Sequence, residues 1–409
     1  MIDANLMFAF DLLCLLLSAV FFWSTFLVAF GLIKPARKHP RSEHKLKFAV
    51  LICARNEERV IKLPIKSVLM SKYPGHLREV IVLADNCVDG TVDRAREAGA
   101  TVWEKHSPSS GKGDVLSWGI ERLRQQGGFD AVAVFDSDNI VSDGWFDAMN
   151  DALHDGETVV TGRRLSSNAT ANVISGWYTV YWDMMNELSN RVRTNLGLSG
   201  KLTGTGFAFL MSVVEKRGWN TCTMVEDVEF TIQTNLDGGR VAYVPDADYA
   251  DEQPETLPYM WRQLCRWSTG GWQVVRVYLC RWLMTVMRRP SLRLFDSFFA
   301  ILTGMSVAFI LLFNVLALVF RIFLGMADQG AFAMFFGVLG FLFMMGWATA
   351  IFAVALSPDK RRPRLLAVMT FPLFSLVLSS SVLFSLVCPT RKWKPIPHGG
   401  EGQEVKNNV

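Results

Sequence analysis

Three groups of acidic residues in this chain could work together. They are Arg55-Asn56-Glu57-Glu58 after the apolar run Phe48 to Ala54, Asp85 in Ala84-Asp85-Asn86, and the pair in Asp136-Ser137-Asp138, with a further acidic run, Glu226-Asp227-Val228-Glu229, downstream. Asp85 and Asp136 each follow directly on a short apolar run, Val80 to Ala84 and Ala131 to Phe135. Carboxylates that converge repel one another, and a divalent cation relieves the repulsion. Hard oxygen ligands favour Mg²⁺ or Mn²⁺ over zinc. An ion held by one or two carboxylates keeps positions free for phosphates, which suits a nucleoside-diphosphate substrate. The competing reading for each acid is a turn or helix cap. Asp89-Gly90-Thr91 has that pattern, with Asp89 opening a helix. The acids at 226–229 open a predicted helix, where the ordinary role is to face the helix dipole.

Cationic and aromatic residues supply a second set. Ser110-Gly111-Lys112-Gly113 departs from the nucleotide-triphosphate loop, because position 106 is His and Gly follows the Lys. Lys112 at a helix start can still meet a diphosphate, or stand solvated on the surface. Gln263, Arg266 and Trp267 fall within about one helical turn of each other. Arg pairs with phosphate, and a Trp face can stack on the apolar side of a sugar ring. Thr203-Gly204-Thr205-Gly206 forms a flexible loop before the apolar Phe207 to Met211. The seven cysteines are scattered without metal or redox spacing, and the six histidines do not cluster. A net charge of +4 gives no case for nucleic acid as a partner.

The elements that must position these residues divide the chain. Half of it is hydrophobic, concentrated at the two ends. Leu12–Ile33, Phe298–Phe320, Gly330–Ser357 and Leu365–Cys388 carry no charge, and each reaches the roughly 20 residues that a helical bilayer crossing needs. These predict four spans. Lys34, Arg37, Lys38 and Arg41 follow the first, and Lys360, Arg361, Arg362 and Arg364 precede the last. Positive flanks face the cytoplasm, so the N-terminus is expected outside and the body inside. Four spans would leave the tail outside, against the preference of Arg391, Lys392 and Lys394. In the body, apolar runs at 48–54, 80–84, 131–135, 158–161 and 240–244 alternate with helical patterns at 57–71, 89–99, 112–126, 144–154 and 172–196. That alternation predicts a mostly parallel α/β sheet with helices on both faces. Ligands bind such sheets beyond the carboxyl ends of the strands, where the acids lie. The expected domains are an anchor at 1–33, the α/β body at 46–255, Trp- and Arg-rich interfacial amphipathic helices at 256–294, three transmembrane helices at 295–388 and a polar tail at 389–409.

Asp85, Asp136-Ser137-Asp138, Asp227 and Gln263-Leu264-Cys265-Arg266-Trp267 together resemble the motifs of family 2 membrane glycosyltransferases, the group of cellulose, chitin, hyaluronan and poly-N-acetylglucosamine synthases. Trp267-Ser268-Thr269-Gly270-Gly271-Trp272 is most similar to the bacterial poly-β-1,6-N-acetylglucosamine synthases. Ala84-Asp85-Asn86 departs from the paired Asp of many members. The resemblance implies a cytosolic GT-A (Rossmann-like) catalytic domain in a multi-pass protein of the cell membrane. It implies a UDP-sugar donor, a glycan or lipid acceptor, and Mg²⁺ or Mn²⁺ as cofactor, with an accessory membrane subunit as a further partner. By the same resemblance Glu57 and Asp85 contact uridine and ribose, Lys112 the diphosphate side, and Asp136 and Asp138 the metal and nucleotide. Asp227 becomes the general base. Gln263 and Arg266 hold the diphosphate, with Arg266 assisting its departure, while Trp267 and Thr205 serve the acceptor. One base and one displacement invert the anomeric centre, so an α-linked donor yields a β-linked polysaccharide, with N-acetylglucosamine or glucose as the sugar.

Three other readings compete. Transfer of a single sugar to a lipid uses nearly the same motifs. A catalytically inactive scaffold conflicts with the intact acids. A transporter conflicts with spans that lack ionisable residues.

Overall fold

The computed structural model describes residues 2–215 and 217–391. Eight strands make one sheet: β1 (Phe48–Ala54), β2 (Arg78–Asp85), β3 (Thr101–Lys105), β4 (Ala131–Asp136), β5 (Ile140–Val141), β6 (Val159–Ser166), β7 (Phe207–Leu210) and β8 (Val241–Asp251). Their order is β3-β2-β1-β4-β7-β6-β8-β5. β1 and β4 are apolar on both faces, as central strands covered by helices must be. Phe48, Val50 and Ile52 enter one core with α2 (Lys62–Met70), α3 (Thr91–Glu97) and α5 (Trp145–His154). Ala49 and Leu51 enter the other with α4 (Lys112–Gln126), α8 (Met211–Glu215) and α9 (Glu226–Leu236).

The sheet is parallel from β3 through β4, but β7 runs antiparallel to both β4 and β6. β5 also pairs antiparallel with β8. Three strands escape the sequence pattern for physical reasons. β3 is a half-exposed edge strand, β5 has two residues, and β7 is only four residues long. The turn into β7 needs glycine at position 206. Its φ is +63°, and a Cβ there would sit 2.0 Å from the Tyr249 ring. The helix predicted over 172–196 is α6 (Val173–Asp183), a π-helical segment Met184–Asn190, and α7 (Arg191–Asn195).

Beyond the sheet lie α1 (Ile2–Gly31), α10 (Leu257–Arg288), α11 (Leu292–Phe323), α12 (Gln329–Leu356) and α13 (Leu365–Val387). Among the described residues, α11, α12 and α13 are long and apolar enough to cross a membrane, and the shorter apolar stretch Leu15–Gly31 belongs to α1. Where the sequence predicts several interfacial helices over 256–294, residues 257–288 form one continuous helix. Gly270 and Gly271 do not break it. They let Val225 and Met305 approach, at 2.6 and 2.8 Å from where a Cβ would stand. One stripe of α10, including Met260, Leu264, Val274, Tyr278 and Trp282, is buried, so one face of this Trp- and Arg-rich helix belongs to the protein interior. α1 docks, through Trp23, on a buried ion pair between α7 and α11. Arg193 Nε donates to Asp296 Oδ2 at 2.9 Å, and Trp23 Nε1 donates to Asp296 Oδ1 at 2.9 Å. Most of the predicted polar tail, residues 392–409, lies outside the described residues.

Candidate active site

The carboxyl ends of β1, β2 and β4 open into one cavity of about 1980 Å³. The first two of these strands turn away through Asn56 (φ 59°) and Asn86 (φ 49°), the residue type that best tolerates this left-handed backbone after glycine. Asp85 is buried at the end of β2. Its carboxylate accepts from Ser109 Oγ (2.6 Å) and Asn86 Nδ2 (2.8 Å), with Arg55 at 3.6 Å. Glu57 lies on the same wall, where its backbone N–H donates to Thr91 Oγ1 at 2.7 Å. Asp89 is a turn residue. It accepts from Thr91 N and Oγ1 and from Glu58 N, and these bonds hold its carboxyl below the usual range against the opposing effect of burial.

Lys112 opens α4 and crosses to the end of β4. Its ammonium donates to Asp136 Oδ1 at 2.5 Å and to Gly204 O at 2.7 Å. Burial pulls its pKa down, but Asp136 and Glu226 outweigh burial and hold it above the ordinary lysine value. Asp138 lies deeper. Burial, together with the nearby charges of Asp251 and Asp136, pushes its carboxyl well above the usual range. Asp251 is paired with Arg164 (Nε to Oδ1, 3.1 Å), and Arg164 lies 3.8 Å from the Trp182 ring. No group of three acidic, histidine or cysteine side chains forms a ready-made metal cage among the described residues. Asp136 and Asp138 fit the smaller demand of a magnesium-like ion that keeps phosphates as ligands. Both carboxylates line the same cavity, two positions apart at the end of β4 and the turn after it.

α9 meets the cavity at its first turn. Gly113 allows this closeness, since a Cβ there would stand 2.6 Å from Thr221 Oγ1 and 3.1 Å from Glu226 Cβ. The three acids then part company. Glu229 faces away and is occupied by Cys222 N (2.9 Å), Thr223 N (2.7 Å) and Tyr278 Oη (2.8 Å). Glu226 and Asp227 both line the cavity. Burial pushes Glu226 up to about 7 against the pull of Lys112. Burial also raises Asp227, opposed by the Val228 N–H and by Lys112, Lys201 and Arg266. Lys201 is held by its backbone, donating to Asn190 Oδ1 at 2.8 Å and accepting from Asn190 Nδ2 at 3.0 Å.

α10 forms the opposite wall, contributing Gln263, Arg266 and Trp267. The Gln263 side-chain oxygen is buried with no hydrogen-bond partner in the protein. Arg266 Nη1 lies 3.4 Å from Met224 O. Trp267 stacks against Tyr181 (centroids 5.9 Å) and meets Trp182 edge-on at 5.7 Å. Past this aromatic group the wall becomes apolar, with Ile301, Met305, Leu378, Val382 and Phe384.

Every residue predicted for the site lines this cavity except Thr205. Thr205 is fully buried beneath Asp136, whose N–H donates to its Oγ1 at 2.9 Å. Its hydroxyl also bonds Asn139, and its carbonyl accepts from Tyr249 Oη at 2.8 Å. Thr205 therefore supports the Asp136 turn and does not reach an acceptor. Arg164, Lys201, Asp251, Tyr181 and Trp182 also line the cavity and lie outside the motifs the sequence offers. Arg164 and Asp251 sit near strand ends, so the rule that found Asp136 reaches them once β6 and β8 are drawn to full length. Lys201 carries no local signal.

Residues 44–270 match the family described as "Glycosyltransferase like family 2". A probable glycosyltransferase, YdaM, of Bacillus subtilis (strain 168) is 28% identical over 265 residues, covering 62% of this chain and 62% of that protein. A poly-beta-1,6-N-acetyl-D-glucosamine synthase of Staphylococcus aureus (strain COL) is 27% identical over 231 residues, covering 55% of this chain and 54% of its own. The matches thus span little more than half the length of these relatives. Among solved structures, the mannosyltransferase PcManGT from Pyrobaculum calidifontis, in complex with GDP-Man and Mn²⁺, superposes with a TM-score of 0.62. It is 15% identical and covers 92% of this chain and 99% of its own. At that identity the likeness is one of fold, and the fold is GT-A.

Proposed function

The chain belongs to glycosyltransferase-like family 2, and from that premise we propose that it transfers a hexose unit from a UDP-sugar to a hydroxyl of a growing β-linked polysaccharide. N-acetylglucosamine or glucose is the sugar, and the catalytic body sits on the cytoplasmic face of the membrane. One observation carries the reading. A single cavity holds a phosphate-binding end (Lys112, Asp136, Asp138), a buried carboxylate beside three cations (Asp227), and an aromatic wall (Trp267, Tyr181, Trp182).

In this reading Glu57 and Asp85 hold the uridine and ribose. Lys112 and Arg266 face the diphosphate and offset the charge that builds as it leaves. Gln263 stands on the same wall, where its amide N–H can donate to the diphosphate. Asp136 and Asp138 would hold Mg²⁺ or Mn²⁺, which supplies further charge neutralisation at the leaving diphosphate. Trp267 presents the acceptor, and Asp227 takes the proton from its attacking hydroxyl. The bond from sugar to diphosphate breaks as the new glycosidic bond forms on the opposite face, so the anomeric centre inverts.

A second reading has its own support. The cavity exceeds the 300–1,000 Å³ of ordinary ligand sites, and its far end is apolar, lined by α11 and α13. An acyl or polyprenyl chain suits that wall, which favours transfer of one sugar to a lipid. Detergent-purified protein given a panel of UDP-sugars with Mn²⁺ separates the two. A ladder of polymer masses supports the first reading, and a single-sugar lipid the second. UDP release with none of the donors would refute both.

A further inference from the structure

We propose that α13 does not cross the bilayer. It lies along the catalytic side of the membrane as the floor of the active-site cavity, with its outer edge in contact with lipid. Its ends are the first observation. A 23-residue helix is roughly 34 Å long, enough to put its ends on opposite sides of a bilayer core of about 30 Å. Yet its start is bound to the catalytic body and its end to α10, the helix that walls the active-site cavity. At the start, Trp177 Nε1 of α6 donates to Thr370 Oγ1 at 2.9 Å, and Arg364 Nε donates to Thr170 O at 2.9 Å. At the end, Ser385 Oγ donates to Cys265 O at 3.2 Å, and the Thr390 N–H donates to Thr269 Oγ1 at 3.0 Å. α6 and α10 are themselves joined through Tyr181 and Trp267 beside the cavity. Leu378 and Val382, between these anchors, line the same cavity as Asp138, and so do Thr390 and Arg391 beyond them.

Depth along α11 agrees. This helix has 32 residues, about twelve more than a crossing requires. Its first turns pack on both α9 and α10, with Leu294 and Phe298 clustering with Ile232 and Leu236 and Phe298 stacking on Trp282 at 4.7 Å. Val382 of α13 clusters with Met305 and Ala308, near where that surplus ends. The lateral pattern fits as well. Ala367, Phe371, Phe374, Ser381 and Ser385 form a buried stripe along the whole helix, while Leu366, Met369, Leu373, Leu386 and Val387 are exposed. An exposed apolar edge continuous with the membrane helices α11 and α12 is a surface for acyl chains. Charge completes the case. Arg361, Arg362 and Arg364 precede the helix and Arg391, Lys392 and Lys394 follow it, so both flanks carry the sign that stays on the cytoplasmic side. The crossings then number three, α1, α11 and α12, and the conflict between four spans and a basic tail disappears.

The native Cys388, exposed just after α13, tests this in the full chain. Three variants each keep one cysteine: Cys388; Cys222, exposed on the catalytic body; and a cysteine introduced by Met326→Cys in the exposed α11–α12 connection. Each is treated with a membrane-impermeant maleimide in right-side-out and inverted vesicles. Cys388 is expected to label in the same vesicle orientation as Cys222 and opposite to Met326→Cys. Labelling of Cys388 together with Met326→Cys would overturn the proposal. If removing cysteines prevents membrane insertion, a C-terminal epitope tag on the otherwise native chain decides. Protease should remove it from inverted vesicles, and removal from right-side-out vesicles alone would overturn the proposal. Neither readout depends on transferase activity, so the topology and the proposed reaction stand or fall separately.

Discussion

Asp227→Asn is the most direct test of the chemistry. Asn keeps the size of the side chain and can still accept from the Val228 N–H, but it cannot take the acceptor's proton. Loss of a general base costs about 10²–10⁴-fold in rate, or roughly 2.7–5.4 kcal/mol of barrier at about 1.36 kcal/mol per decade. The surroundings predict more than the loss. Lys112, Lys201 and Arg266 all act on Asp227. Removing one negative charge from among three cations leaves that end of the cavity more positive. UDP affinity should therefore hold or tighten while turnover falls. The two neighbours are controls with different expected behaviour. Glu229→Gln disturbs a carboxylate held by two backbone N–H groups and Tyr278. It should lower the melting temperature, by the equivalent of about 1–3 kcal/mol, more than it lowers turnover per folded molecule. Glu226→Gln replaces a group already raised to about 7, and should reduce transfer less than Asp227→Asn. The assay is UDP release with the productive UDP-sugar, paired with UDP binding by calorimetry and melting of each variant. If folded Asp227→Asn keeps more than a tenth of wild-type turnover, the base is elsewhere and Glu226 becomes the candidate.

Chelation should abolish transfer and added Mn²⁺ should restore it, and full activity in excess chelator would remove Asp136 and Asp138 from the metal role. Trp267→Ala should cut product formation strongly while UDP-sugar affinity stays within a few-fold, and a large loss of nucleotide affinity would place Trp267 on the donor side instead. Lys201 lowers the pKa of Asp227, so Lys201→Met should shift the acid limb of the kcat/KM pH profile to higher pH, with Lys201→Arg restoring it. An unmoved limb would leave Lys201 a purely structural role. Asp296→Asn leaves Arg193 buried without its counter-ion and should destabilise the junction of α1, α7 and α11 by about 3–5 kcal/mol, read as thermal melting in detergent.

Much of the catalytic body was legible because its signals are local. Phe48–Ala54 is a strand in the sequence pattern and in the structure, since seven consecutive small or apolar residues fit a strand covered on both faces. Lys112–Gln126 likewise runs as predicted, its apolar positions falling at helical spacing. Asp85 and Asp136 follow from the rule that ligands lie beyond strand ends, which needs only the ends of two apolar runs.

Other features depended on distant partners. Thr205 looks like an exposed loop residue, but it is buried because Tyr249 and Asn139, from two separate segments, close over it. The acids at 226, 227 and 229 look alike in sequence. Tyr278, almost fifty positions away, occupies Glu229 and leaves the other two on the cavity wall. Lys201 acquires its place from Asn190 in a π-helical segment, which no apolar periodicity announces. α13 shows the division most clearly. Its length and composition meet the requirement for a span, and a sequence window measures nothing else. Whether such a helix crosses or lies flat depends on what its ends touch. Those contacts join residues 177 with 370 and 269 with 390, pairs that hydropathy cannot see because they exist only once the chain has folded.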